Sequence, residues 1–518
     1  MSKNKKIILL GLDGCDFRIL KPLIKNGFLP TFSELLENGC HGTLISTLPP
    51  NTLPAWTSIF TGVNPGKHGI TDFIIKENKR YEFASTHYRM VDSLWAILTK
   101  HNIEQIIINE PVTFPPEKIK GIMITGYLTP ISERKEKRNF AYPQSIIDEI
   151  EKVSNGYEID LPLGFEEIIK KNKDKGFQLI SEFAKKIIKT TKYLYQNYDW
   201  HLLASVITST DRLQHFYYDN FKYLSSHYKL LDDFIKEIIN HETETNIFIV
   251  SDHGFGPLKK CFYINTWLRD QGLVSENRSL IGTILSKFGM TYPRLVSTLM
   301  RLKLYNFIAK ITPTSVKQSI PIDKYSTSID FLGSKVLCPT TNNGLFINDP
   351  DINKDLPSII KELLSITFNG ENIIQSVYLR REVLWGPYSY RGADIYLVPT
   401  YGYEISPKLV PAYLSSPLEF GDIRTGTHRP EGVFIAYGPD ISRGVQLRGP
   451  LFTWDIAPLI LHMLNLPIPS YMDGCVRKEV FREGSEPAVN SVKYEYVAAQ
   501  EWVKARLKKL KRELFGAR

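Results

Sequence analysis

Short runs of consecutive apolar residues punctuate the chain at positions 7–12 (IILLGL), 104–109 (EQIIIN), 201–208 (HLLASVIT), 246–251 (NIFIVS), 393–399 (ADIYLVP) and 432–438 (GVFIAYG). Because the apolar residues are continuous and do not alternate with polar ones, they predict strands covered on both faces, as in a parallel sheet. Between them, apolar residues recur with helical period over 20–38, 93–101, 176–197 and 228–242. Strands alternating with helices predict an α/β sandwich, a largely parallel central sheet with helices on both faces.

Two stretches break this rhythm. Residues 127–175 are charged and helical in pattern, and residues 258–420 form a mixed α/β segment. They read as a helical insertion, and as a cap plus a core strand that returns at 393–399. The catalytic core then comprises 1–257 and 421–480. Beyond it, 481–518 reads as a linker through EGSEPAVNS (483–491), then a basic amphipathic helix with Val503, Leu507, Leu510 and Leu514 on one face.

Composition narrows the class. Of 518 residues, 43% are hydrophobic and 23% charged, which excludes wholesale disorder. No apolar run approaches the roughly 18 residues of a membrane-spanning helix. The amino-terminal run is too short for a secretory signal and ends at Asp13 without a small-residue cleavage site. The cysteines at 15, 40, 261, 338 and 475 are odd in number and lack CxxC spacing, which argues against a disulfide framework and for a cytoplasmic location. Net charge is +9, but the basic residues at 504, 506, 508, 509, 511, 512 and 518 against Glu513 supply six of those charges. Specific nucleic-acid binding by the body is therefore not expected. The tail helix is a candidate for contact with an anionic membrane surface or another subunit.

Candidate chemistry gathers at strand ends. Asp13 ends the first run, Asp211 follows the run at 201–208, and Asp252 follows that at 246–251. In a parallel sheet the carboxyl ends of the strands share one edge, where ligands bind. Carboxylates crowded there repel unless a cation neutralises them. Taken singly, each Asp is better explained as a helix cap or turn acid. The histidines shift the balance: His215 lies one helical turn after Asp211, His253 follows Asp252, and His428 sits in TGTHRPEG. Asp oxygens and His nitrogens in small open clusters suit Zn²⁺, with Mn²⁺ as the alternative.

Thr52, in PPNTLPAWTSIFTG, stands before Pro54 at the start of a short helix. Either Asn51 or Thr52 caps that helix, or its N-terminus receives a phosphate that the hydroxyl attacks.

Taken in order, LDG, PPNTLPAWTSIFTG, NPGKHGI, TDRLQH, SDHGF and GTHRPEG resemble the alkaline phosphatase superfamily. Within it, the set is most similar to the type I phosphodiesterase/nucleotide pyrophosphatase branch. The resemblance runs from about residue 5 to 480 and includes the segment 452–474. It implies a site for two divalent metal ions, with Asp211, His215 and His428 on one and Asp13, Asp252 and His253 on the other. Thr52 stands at the nucleophile position beside the second. It further implies attack by Thr52, a phospho-threonine intermediate and hydrolysis from the opposite side. Where that branch carries an Asn after HGI, this chain has Thr71, Asp72 and Phe73. Asn51, Lys67, Arg212 and Arg429 are candidates for holding a phosphoryl oxygen, and His68 is read as structural.

The expected activity is metal-dependent hydrolysis of phosphoric esters, preferentially diesters, on a phosphorylated small-molecule or a lipid- or glycan-linked substrate. The alternatives are a phosphotransferase or phosphomutase on the same site, and a non-catalytic binding scaffold.

Overall fold

The structure is a computed structural model that describes residues 5–77, 80–136, 139–276, 329–340 and 343–497. Its central sheet is built from β1 (Lys6–Leu12), β2 (Cys40–Ile45), β3 (Gln105–Glu110), β4 (Gly121–Thr125), β5 (Ala141–Tyr142), β6 (Leu202–Ile207) and β7 (Thr245–Val250). Downstream, the antiparallel pair β8 (Gly254–Pro257) and β9 (Gly426–Arg429) forms a separate two-stranded sheet, and β10 (Glu431–Tyr437) and β11 (Val445–Gln446) join the central one. The order across the sheet is β11-β2-β10-β7-β1-β6-β3-β4-β5. From β7 to β4 every pairing is parallel, with Leu9 of β1 opposite Ala204 and Phe248.

The helices that cover the sheet are α1 (Phe17–Lys25), α2 (Pro30–Asn38), α3 (Thr52–Thr61), α4 (Leu94–Lys100), α5 (Lys173–Asn197), α6 (Ser209–Tyr217), α7 (Phe221–His241) and α8 (Ile456–Met463). Strand side chains alternate between faces. Ile8, Leu10 and Leu12 therefore enter one core with α1, α2, α5 and α7, whereas Ile7 and Leu9 enter another with α3, α4 and α8. Each fully buried aliphatic side chain contributes about 1.5–3 kcal/mol. The expected three-layer α/β architecture is present. No helix among the described residues is long and apolar enough to cross a membrane.

Several expectations need correction. The run at 432–438 is a central strand, but β10 lies antiparallel to both β7 and β2. The run at 393–399 does not return to the central sheet. Its strand (Ile395–Pro399) pairs antiparallel with Gly344–Ile347 and Ile374–Leu379 in a separate sheet of the cap. There Ile395 and Leu397 enter one cluster and Tyr396 another. A continuous apolar run reports coverage on both faces, not strand direction or sheet membership.

The helical pattern over 20–38 is two helices, because Gly27 takes φ +75° and Pro30 opens α2. The helix expected from 228 starts at Phe221, where the Asn220 side chain accepts from the Tyr223 N–H. The insertion 127–175 holds the expected helices, but also β5, an antiparallel edge strand. Nor is 481–497 a loose linker. Phe481 is buried, His462 Nε2 donates to the Pro487 carbonyl at 2.8 Å, and Tyr494–Glu495 pairs with Ile468–Pro469. The helix expected over 503–514 lies outside the described residues.

Candidate active site

Parallel β1, β6 and β7 end on one edge of the sheet and deliver Asp13, Asp211 and Asp252 there. Two glycines make this convergence possible. Gly11 lets Trp56 of α3 lie against β1, since a Cβ would meet its ring at 2.4 Å, and the indole Nε1 then donates to Asp13 Oδ2 at 3.2 Å. Gly14, at φ +70°, turns the chain so that its N–H donates to Asp252 Oδ1 at 3.1 Å.

A first cluster joins Asp211, His215 and His428. His428 Nε2 lies 3.0 Å from Asp211 Oδ1 and 3.1 Å from His215 Nε2, which is itself 3.3 Å from Asp211 Oδ1. Each imidazole has its other nitrogen committed. His428 Nδ1 donates to the Pro50 carbonyl at 3.0 Å, and His215 Nδ1 to that of Gly426 at 3.2 Å. A carbonyl can only accept, so each Nδ1 carries a proton, and each neutral imidazole turns its Nε2 lone pair inward.

The second cluster repeats the pattern. His253 Nδ1 donates to the Gly254 carbonyl, and its Nε2 lies 3.2 Å from Asp252 Oδ2, 3.6 Å from Asp13 Oδ1 and 3.4 Å from Thr52 Oγ1. Asp13 Oδ1 and Asp252 Oδ2 are buried without a hydrogen-bond donor. The clusters adjoin: ligand atoms of Asp13, Asp211 and His253 lie within 4.8 Å of one another, and the His253 and His428 rings stack at 3.8 Å.

Acceptors that face one another without donors are costly to bury. Burial, reinforced by Asp211, pushes the Asp13 carboxyl up to about 7. Burial and the Asp13 charge raise Asp252, while burial and His428 push His253 down. Burial would raise Asp211 as well, but with no cation in the cluster the protonated form of His215 and His428 holds it well below the usual carboxylate range. Two groups of oxygen and imidazole donors lacking only positive charge fit a pair of divalent cations. Cys261, Glu404 and Asp422 also lie close together, but Arg424 already neutralises both of those carboxylates.

Thr52 opens α3 beside these groups. Asn51 occupies the N-cap position, yet its side chain makes no capping bond. Its Nδ2 donates instead to Asp72 Oδ1 at 3.2 Å, leaving the helix start facing a cavity of about 150 Å³ that Asp13, Asn51, Thr52, Asp211 and His428 line. The helix N-terminus favours an anion there.

The expected oxygen-holding residues divide. Asn51 and Arg212 line the cavity, Arg212 lying over Tyr127 and paired with Asp211 and Asp160. Lys67 and Arg429 do not line it. Lys67 pairs with Asp473 at 2.6 Å, and Arg429 donates to the Tyr403 carbonyl while covering the Tyr401 ring. Both side chains are engaged by these partners and not by the cavity. His68 is buried against Ser58, as expected.

Sequence reading missed Trp56, Asp72, Asp160 and Glu404. Trp56 and Asp72 lie in motifs already singled out, but nothing local reveals their partners. Phe73 lines the cavity after the HGI motif, where the related branch has Asn.

Residues 7–409 match the family described as type I phosphodiesterase / nucleotide pyrophosphatase. The crystal structure of phosphonoacetate hydrolase from Sinorhizobium meliloti 1021, in complex with phosphonoformate, is similar in fold. Its TM-score is 0.56 at 15% identity, over 88% of this chain and 94% of that one. No curated protein sequence matches the chain. The chain therefore belongs to the type I phosphodiesterase/nucleotide pyrophosphatase family, and is a phosphoric ester hydrolase.

Proposed function

We propose that the protein hydrolyses phosphoric diesters through a phospho-Thr52 intermediate, with Asp211, His215 and His428 holding one divalent cation and Asp13, Asp252 and His253 the other. The observation that carries this reading is the meeting of two clusters of carboxylate and imidazole ligand atoms beside Thr52 Oγ1, with Asp13 Oδ1 and Asp252 Oδ2 buried without a donor. Zn²⁺ suits these donors best, with Mn²⁺ second. Bound there, the cations supply Lewis-acid charge that eases ionisation of a hydroxyl and offsets charge on phosphoryl oxygens.

The chain's own residues do the rest. The start of α3 and the Asn51 amide, oriented by Asp72, receive the phosphoryl group. Thr52 Oγ1 forms a bond to phosphorus as the ester oxygen opposite breaks away, and the proton lost by Thr52 is balanced by the one the leaving alcohol gains. Water then attacks phosphorus, releases the remaining phosphoric ester and restores the hydroxyl.

The cavity's cations favour a diester over a monoester. Arg212 is matched by Asp211 and Asp160, and Arg424 by Glu404 and Asp422, so neither is left to balance the second charge of a monoester dianion.

The test compares bis(p-nitrophenyl) phosphate with p-nitrophenyl phosphate, in Zn²⁺ and in Mn²⁺, for wild type and Thr52→Ala. Preference for the diester is expected, falling at least about a thousandfold in the variant. Turnover that survives the substitution removes Thr52 as nucleophile, and preference for the monoester removes the diester reading.

A further inference from the structure

Asp72 stands between the phosphoryl site and the cap. Its Oδ1 accepts from Asn51 Nδ2 at 3.2 Å and from the Phe73 N–H at 2.6 Å. Its Oδ2 accepts from the hydroxyl of Thr340, a cap residue far along the chain, at 2.5 Å. Asp72 and Asn51 are both buried. A carboxylate only accepts, so the nitrogen end of the Asn51 amide must face it. The oxygen end of that amide is buried with no donor among the described residues. The contact with Asp72 therefore sets which way the amide points.

Thr340 is itself held by the body of the cap. Asn265, fully buried on the helix Ile264–Asp270, donates to the Cys338 carbonyl at 2.7 Å and accepts from the Cys338 N–H at 2.8 Å. The same Nδ2 donates to the Pro407 carbonyl at 2.6 Å. Cys338 follows the strand Val336–Leu337, which pairs antiparallel with Gly344–Ile347, and its Sγ donates to the Thr340 carbonyl at 3.0 Å. A hydroxyl anchored in the cap thus meets the carboxylate that orients an amide of the core. An O–H···O⁻ bond of this length is among the stronger hydrogen bonds that proteins make.

We propose that Thr340 is a positioning residue: through Asp72 it holds the Asn51 amide in the orientation that donates to a phosphoryl oxygen, so that the cap completes the phosphoryl site. This rests on the phosphoryl-holding role given to Asn51 above. Asn51 spends one N–H on Asp72 and keeps the other for the substrate. That second bond strengthens as charge gathers on the phosphoryl oxygen in the transition state, so its loss falls on kcat more than on KM.

The test is steady-state hydrolysis of bis(p-nitrophenyl) phosphate by the full chain in Zn²⁺. Thr340→Val and Thr340→Ala each lower kcat about tenfold, the worth of one hydrogen bond to a charged acceptor, with KM within about twofold of wild type. Thr340→Ser returns the hydroxyl and restores kcat to within about twofold. In an Asn51→Ala background, Thr340→Val costs nothing further, because the amide it positions is gone. Full kcat in Thr340→Val and Thr340→Ala, a loss in Thr340→Ser equal to theirs, or losses that multiply in the double variant overturn the proposal and leave Asn51 its role. Full kcat in Asn51→Ala removes that role, and the proposal with it.

Discussion

His428 reaches its cluster from β9 and has both ring nitrogens engaged, one on the Pro50 carbonyl and one toward Asp211 and His215. His428→Ala removes one ligand and leaves two acceptors facing each other. Bound metal is expected to fall from about two ions per chain to about one, measured by elemental analysis after gel filtration. Unchanged stoichiometry would place the ion elsewhere. Two other histidines serve stability. Burial pushes His68 down to about 3 and His227 to about 4, from 6.5 in the open chain. The unfolded state thus gains protons below about pH 6.5 that the native state refuses, and stability drains as pH falls toward about 4 for His227 and about 3 for His68. His227→Gln keeps a polar partner for Ser209 without titrating. Urea midpoints at about pH 7.5 and about pH 5, in chelator, should differ less in that variant than in wild type. Equal differences would contradict the assignment. The residues that meet in the two clusters were legible in sequence because each sits in a short motif. Trp56, Asp160 and Glu404 were not, because their partners approach only through folding.

At the scale of elements, β9 carries His428 and is pinned from two sides. β8 pairs with it antiparallel, and Thr427 donates to Glu404 Oε2 at 2.6 Å. Glu404 belongs to the cap strand Tyr403–Ser406 and is fixed by Arg424, so the cap reaches through it to the first cluster. Glu404→Gln keeps the shape and removes the charge. Metal affinity, read by competition with a chromophoric chelator, is expected to weaken about 10- to 100-fold with secondary structure retained. Affinity equal to wild type would show that the cap does not position β9. β1, β3, β6, β7 and β10 were legible from their apolar runs, β2, β4, β5 and β11 were not, and the runs did not reveal which strands lie antiparallel. β10 and the strand at Ile395–Pro399 are apolar because they are covered on both faces, in antiparallel settings.

For the whole molecule, β1 is the axis, and the loops beyond β1, β6 and β7 bring residues 13, 211 and 252 together at the sheet's carboxyl edge. An α/β sandwich was predictable from the alternation of strands and helices. The antiparallel edge strand β5 and the packed segment 481–497 were not, since both depend on contacts distant in sequence. A site shared by three strand ends links ligand binding to global folding. Saturating divalent cation should raise the melting temperature, with about 2.7 kcal/mol gained at a hundredfold excess over Kd, and chelator should reverse it. No shift would mean that the acceptor clusters are not metal sites. The most direct measurement is anomalous diffraction at the zinc edge from crystals grown with Zn²⁺. Two peaks are the expected result, one among Asp211, His215 and His428, the other among Asp13, Asp252 and His253 next to Thr52 Oγ1. Peaks only at other positions, or none at full zinc occupancy in solution, would contradict the two-cation centre.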